Sequence, residues 1–240
     1  MKLRRLSKGA GFTLVELLVV VVIIAALAAV AIAMSQRMMN KAKANLAVQN
    51  IRQIAPIMTT YASDNQMKLP PVHGPTKLPD GTQPILQWSE TCLAVLFPNT
   101  ELTEFKKKTW WDTNKTPVRN PMFRDKDGWS PQNPGFAMNA KLAENIATSR
   151  DAPVPSDPLA VSIPLATIDE PARAPLIAPN TTFTYVYDSG EAAKFDKDPA
   201  STLLSAGQVP ILFVDGHVES MTPREYSVKK LDLYPEKTNN

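Results

Sequence analysis

From Leu17 to Met34 the chain presents eighteen apolar residues without a break, and beyond them the pattern changes character. At about 1.5 Å of rise per residue this run covers roughly 27 Å, close to the hydrocarbon thickness of a bilayer. Gln36 to Asn50 then mixes polar and cationic residues with alanine and methionine. Ala47, Ile51, Ile54, Met58 and Tyr61 follow at spacings of 4, 3, 4 and 3, which predicts one helical face packed on a domain. All 22 prolines fall at or after Pro56, so the first fifty-odd residues read as a single helix. Pro56 predicts a kink rather than an end, because the stripe keeps its phase through it.

The remainder, residues 63–240, is long enough for one domain with its own core. Lys68 to Pro84 carries Pro70-Pro71, Gly74-Pro75 and Asp80-Gly81, and reads as a loop. Trp88 to Phe97 predicts a short buried helix capped at Ser89. Asp151 to Asn180 holds seven prolines and no glycine, which predicts an extended, semi-rigid segment across the head. Thr181 to Tyr187 alternates and is rich in β-formers, a strand. Val209 to Glu219 places two apolar arms around Asp215-Gly216, the signal of a two-residue hairpin turn with positive φ at both central positions. The predicted class is α+β: a long N-terminal helix, transmembrane in its first half, packed on a small antiparallel sheet with irregular Pro-rich loops.

Charge sharpens the reading of the N-terminus. Met1 to Gly11 contains Lys2, Arg4, Arg5 and Lys8, no acid, and ends in Gly9, Ala10 and Gly11. Glu16 is the one acid beside the apolar run, where an acidic residue costs on the order of 3 kcal/mol at the bilayer centre and less near its edge. A secretory signal shares the basic start, and the triplets Ala26-Leu27-Ala28 and Ala31-Ile32-Ala33 offer it cleavage sites. Its apolar region is shorter, however, and its cleavage site follows that region instead of preceding it. A plain membrane anchor explains neither Gly11-Phe12 nor Glu16.

Gly11-Phe12-Thr13-Leu14-Val15-Glu16 resembles the cleavage and methylation site of type IV prepilins and type II secretion pseudopilins. The resemblance implies a leader at 1–11, a membrane and assembly helix at 12–62 and a pilin-like head at 63–240. It implies that prepilin peptidase cuts between Gly11 and Phe12 and methylates the new Phe12 terminus. Phe12 and Glu16 stand four apart, on one helical face. A lone carboxylate in an apolar core gains most from a close opposite charge, here the Phe12 ammonium of its own chain or of a neighbour. The alternative is a protonated Glu16 buried near the interface.

The whole chain carries 26 Lys+Arg against 23 Asp+Glu, net +3; without the four basic residues of the leader it carries 22 against 23, net −1. The basicity is therefore a targeting feature, and nucleic acid is not an expected partner. Lys106-Lys107-Lys108-Thr109-Trp110-Trp111 reads as a solvated lysine turn beside core tryptophans. Cys92 is the only cysteine, so no intrachain disulfide forms, unlike many type IV pilins. It reads as a small buried hydrophobe. His73 and His217 sit in no triad or ligand motif, and no enzyme activity is expected. Asp125-Lys126-Asp127-Gly128 resembles the start of a calcium loop, but an EF-hand needs a further ligand at Trp129 and a glutamate at Phe136. A turn is the expectation there. No metal or cofactor is expected, calcium being the one alternative left open.

Phe213-Val214-Asp215-Gly216-His217-Val218 also resembles a C-terminal segment of a large bacterial family of prepilin-processed proteins. In that family a histidine stands ten residues before the aspartate; here Ser205 occupies that place. Pro134-Gly135-Phe136-Ala137-Met138-Asn139 resembles a second segment of the same relatives. These likenesses imply a structural subunit of a type IV pilus-like or type II secretion pseudopilus-like fibre. Its expected place is a single pass in a bacterial inner membrane, head on the periplasmic or extracellular side. Its expected partners are prepilin peptidase and other pilin or pseudopilin subunits. The alternative class is a membrane-anchored or secreted surface binding protein.

Overall fold

A computed structural model describes residues 13–123, 129–139, 164–168, 170–180, 184–185, 208–222 and 225. The chain divides into two compact units, Met1–Asn40 and Lys41–Asn240.

Helix α1 runs from Leu14 to Asp64 with Pro56 inside it. In the first unit its large apolar side chains from Leu14 to Met34 are 43–81 % exposed. By length and composition this stretch suffices to cross a membrane.

In the second unit the same helix changes from bare to packed. Ala47, Ile51, Ile54, Met58 and Tyr61 are all buried, joined by Ala44, Ile57 and Ala62. Each fully buried isoleucine here contributes on the order of 2 kcal/mol. Pro56 supplies no amide hydrogen for the carbonyl one turn back, yet the packed face carries the helix through it.

The head holds two sheets. Strands β1 (His73–Pro75) and β2 (Ile85–Gln87) form an antiparallel pair; β1 lies inside the segment that reads as a loop and β2 directly follows it. The larger sheet has the order β5-β3-β4-β6-β7, with β3 at Phe136–Asn139, β4 at Pro175–Pro179, β5 at Thr184–Tyr185, β6 at Val209–Phe213 and β7 at Val218–Met221. Its pairings are antiparallel except β3 with β5, which is parallel and adds an edge the antiparallel expectation did not contain.

Strand β4 also revises the Pro-rich reading. Pro175 and Pro179 occupy its two ends and a register shift falls between Pro175 and Ile177, so a Pro-flanked strand fits the middle of the sheet. The preceding residues 165–167 and 171–173 form single 3₁₀ turns. Residues 151–163 and 169 of that span lie outside the described residues, as does most of the strand expected at 181–187.

Helix α2 spans Trp88–Leu96. Its cap is not Ser89, which is buried inside the first turn. Gln87 precedes the helix, and the Glu90 carboxylate accepts its backbone N–H at 2.9 Å. Glutamate at the third helical position is the better acceptor because its side chain reaches back over the first turn to the open N–H of the residue before the helix.

Helix α3 (Lys108–Thr113) places the lysine-tryptophan run. Trp111 is buried and donates through Nε1 to the Phe105 carbonyl at 2.7 Å, while Trp110 meets Phe97 and Phe105 edge to face. Lys107 pairs with Glu104, and the Lys108 ammonium lies over the Trp129 ring. These indoles are spent on the core.

Candidate functional site

The first site is the start of α1. Thr13 stands at the N-cap and Glu16 at the third helical position. The Glu16 carboxylate accepts the Thr13 backbone N–H and the Thr13 hydroxyl, each at 2.8 Å, and the Thr13 hydroxyl oxygen accepts the Glu16 N–H at 3.2 Å. This is a reciprocal capping box that satisfies donors a helix start would otherwise leave open. Thr13 was missed in the sequence, although threonine three residues before glutamate is a helix-start signature in its own right. The box gives Glu16 a local task, holding its carboxylate over the first turn. Gly11 and Phe12, the expected processing site, lie outside the described residues.

Residues 6–32 match the family model described as a prokaryotic N-terminal methylation motif. This is a prepilin-type N-terminus. The match supports a type IV pilin-like or pseudopilin protein, membrane-anchored through the apolar half of α1. No curated protein and no solved structure matches the chain. The match ends at residue 32, so the head speaks through its own geometry.

The second segment singled out by sequence is the β6–β7 turn. Leu212 pairs with Val218, the Phe213 N–H donates to the His217 carbonyl at 2.9 Å, and the Gly216 N–H donates to the Phe213 carbonyl at 3.0 Å. Only Gly216, at φ +91°, is left-handed; Asp215 is not. The expected two-residue turn on Asp215 and Gly216 is thus a three-residue loop, Val214-Asp215-Gly216, with glycine at the bulge position. Asp215 Oδ1 accepts the His217 N–H at 3.1 Å and lies 2.6 Å from its Nδ1, and the imidazole stacks on Phe213 with centroids 4.3 Å apart. His217 therefore closes the loop on both of its sides. Ser205, standing where relatives have a histidine, lies outside the described residues.

A β-carbon at Gly216 would meet only Ala55 at an ordinary 3.7 Å, so the demand for glycine there is one of backbone conformation. Gly216→Val is expected to cost the head about 1–2 kcal/mol. Thermal unfolding of the full chain checks it against His217→Ala, which is expected to cost clearly less. An equal loss in the two variants would move the burden from the glycine to the imidazole.

The third segment, Pro134 to Asn139, is explained by packing. Phe136 and Met138 are fully buried on β3, and the buried Asn139 amide donates to the Pro175 carbonyl at 3.0 Å, tying β3 to the start of β4. Gly135 sits at φ +83° against Phe123 and Asn120.

The groups that carry chemistry elsewhere are dispersed. Cys92 is buried against Met58, 4.0 Å between the sulfurs, and burial pushes its thiol well above the ordinary range, away from the reactive thiolate. Burial pulls the pKa of His73 below its ordinary value, while Glu90 pushes it up and Lys106 pushes it down. Among the described residues no three His, Cys, Asp or Glu side chains cluster as metal ligands, and Asp125 to Gly128 lies outside them.

Proposed function

We propose that this chain is a structural subunit of a type IV pilus-like or type II secretion pseudopilus-like fibre. Prepilin peptidase cuts after Gly11 and methylates Phe12. The subunit waits in the bacterial inner membrane as a single pass, its head on the periplasmic or extracellular side. Assembly moves the apolar half of α1 from lipid into a bundle of like helices, where the Glu16 carboxylate meets the Phe12 ammonium of a neighbour and sets the register.

The observation that carries the reading is the pairing of a methylation motif with a bare apolar stretch of α1, Leu14 to Met34, whose one carboxylate is held at the first turn. In lipid that carboxylate is a liability; beside an ammonium in a fibre core it is a register device. The capping box fits the same scheme, because it keeps the carboxylate at the helix start, next to the new terminus.

Cysteines placed at Leu18 and Ile23 test the proposal by disulfide cross-linking in cells. Native Cys92 is buried and does not confuse the pattern. A fibre subunit yields a ladder of cross-linked oligomers. A plain anchored binding protein yields monomer alone, which would exclude assembly through this helix.

A further inference from the structure

We propose that the cleft between the second half of α1 and the segment from α3 to Phe123 binds an acidic saccharide, one that carries carboxylates and hydroxyls on the same chain. The site does not depend on fibre assembly, and it belongs wholly to the Lys41–Asn240 unit.

The cleft has a volume of about 860 Å³, in the size class of ligand sites. Lys43, Leu46, Asn50 and Gln53, at spacings of 3, 4 and 3, line it from one face of α1. Opposite stand Asp112, Asn114, Lys115, Thr116 and Arg119. Three cations thus face one carboxylate. That carboxylate is already engaged, since Asp112 lies 3.4 Å from the Arg119 guanidinium. Lys43 and Lys115 have no ion pair among the described residues, so the cleft presents unspent positive charge on a chain whose mature form is net negative.

The neutral groups complete a pattern suited to hydroxyls. Asn50 donates its amide to the Arg119 carbonyl at 2.8 Å, and Asn114 donates to the Trp110 carbonyl at 2.9 Å. These bonds fix both amides and leave their oxygens as acceptors. Gln53, on the same wall, is exposed. Thr116 is 6 % exposed and its hydroxyl has no partner among the described residues, an orphan polar group in the cleft wall.

Other polyanions fit less well. Nucleic acid needs aromatic faces on which bases stack, and Trp111 and Phe123 are buried and present no open ring. An acidic peptide gains most of its affinity from an unpaired strand edge or an apolar groove, and the walls here are helix and irregular loop. Carboxylates on the lysines and hydroxyls on the amides leave a uronic acid polymer as the ligand class.

The test uses the full chain in detergent micelles, titrated calorimetrically with polygalacturonate oligomers, neutral dextran, polyglutamate and oligo-thymidylate. Saturable binding of polygalacturonate alone is expected. Lys43→Ala and Lys115→Ala, both outside the core, should each weaken it roughly five-fold or more at low salt, and about 0.5 M salt should weaken it further. Lys77→Ala, on an exposed position away from the cleft, should leave it unchanged. Failure to bind polygalacturonate, or binding unaffected by either cleft lysine, overturns the site. Equal or tighter binding of polyglutamate or oligo-thymidylate overturns the ligand class.

Discussion

Glu16→Gln is expected to leave the protein cleaved and membrane-retained but unable to build cross-linked ladders. Glutamine keeps the capping box, since its amide oxygen reaches the Thr13 N–H and hydroxyl as the carboxylate does. It removes only the charge. In an assembled core the Phe12 ammonium then stands without its counterion, at a cost on the order of 3–5 kcal/mol. Glu16→Leu loses charge and box together and should be at least as defective, while lipid retention is equal or better because an acid has left the helix. Thr13→Val removes the hydroxyl half of the box, leaves the backbone N–H of position 13 on the Glu16 carboxylate and keeps the charge; it should cost about 1 kcal/mol and still assemble. Cleavage should persist in all three, because the peptidase reads the leader and its junction. The cross-linking assay at Leu18 and Ile23 reads the outcome. Normal ladders from Glu16→Gln would reduce Glu16 to a helix cap and remove the register device.

Gly135→Ala is expected to be the most damaging single methyl in the head. At φ +83° an L-residue is strained, and the added carbon would lie 2.5 Å from Phe123 Cβ and 2.9 Å from Asn120 Cβ. Those atoms are bonded to the backbone and do not rotate away. Nor does the loop shift freely: Asn120 and Asn180 both donate to the Gly135 carbonyl at 3.2 Å, and the Asn120 N–H donates to the Pro134 carbonyl at 2.8 Å. Left-handed strain of about 1–2 kcal/mol and overpacking of about 1–3 kcal/mol together consume a large part of a domain's usual stability of about 5–15 kcal/mol. Gly81→Ala is the internal comparison. Gly81 has φ +84° with nothing within 4 Å, so it isolates the backbone strain. Thermal unfolding should show Gly135→Ala well below Gly81→Ala. Equal losses would mean that the Phe123 and Asn120 contact relaxes at no cost.

What the sequence made legible was the local and the periodic. The apolar run of α1 and the stripe from Ala47 to Tyr61 follow from composition and spacing alone, and the stripe is buried as its phase requires. Pro56 within the helix was readable for the same reason. Strand β4 was hidden because prolines at Pro175 and Pro179 argue locally for a linker; only the neighbours on both sides make it a strand. The turn at Asp215-Gly216 was found but mistyped, because the type depends on the pairing of Phe213 with His217, which the dipeptide does not encode. Gly135 needs glycine because residues 120 and 123 approach it, a contact without a local signature. The cleft draws its walls from α1 and from residues 111–123, so no single motif announces it. Thr13 is the opposite case: its signal was present, four residues long, and overshadowed by the charge of Glu16.

The fate of α1, in lipid or in a fibre, is decided first by where the mature chain begins. Mass spectrometry of the intact protein and of its N-terminal peptide, purified from membranes of the native host, measures that directly. The expected terminus is Phe12 carrying one methyl group on its amine, and Gly11→Val should leave full-length precursor starting at Met1. An unmethylated wild-type terminus near Met34, on protein recovered from the soluble fraction, would reveal an ordinary secretory signal and contradict the account.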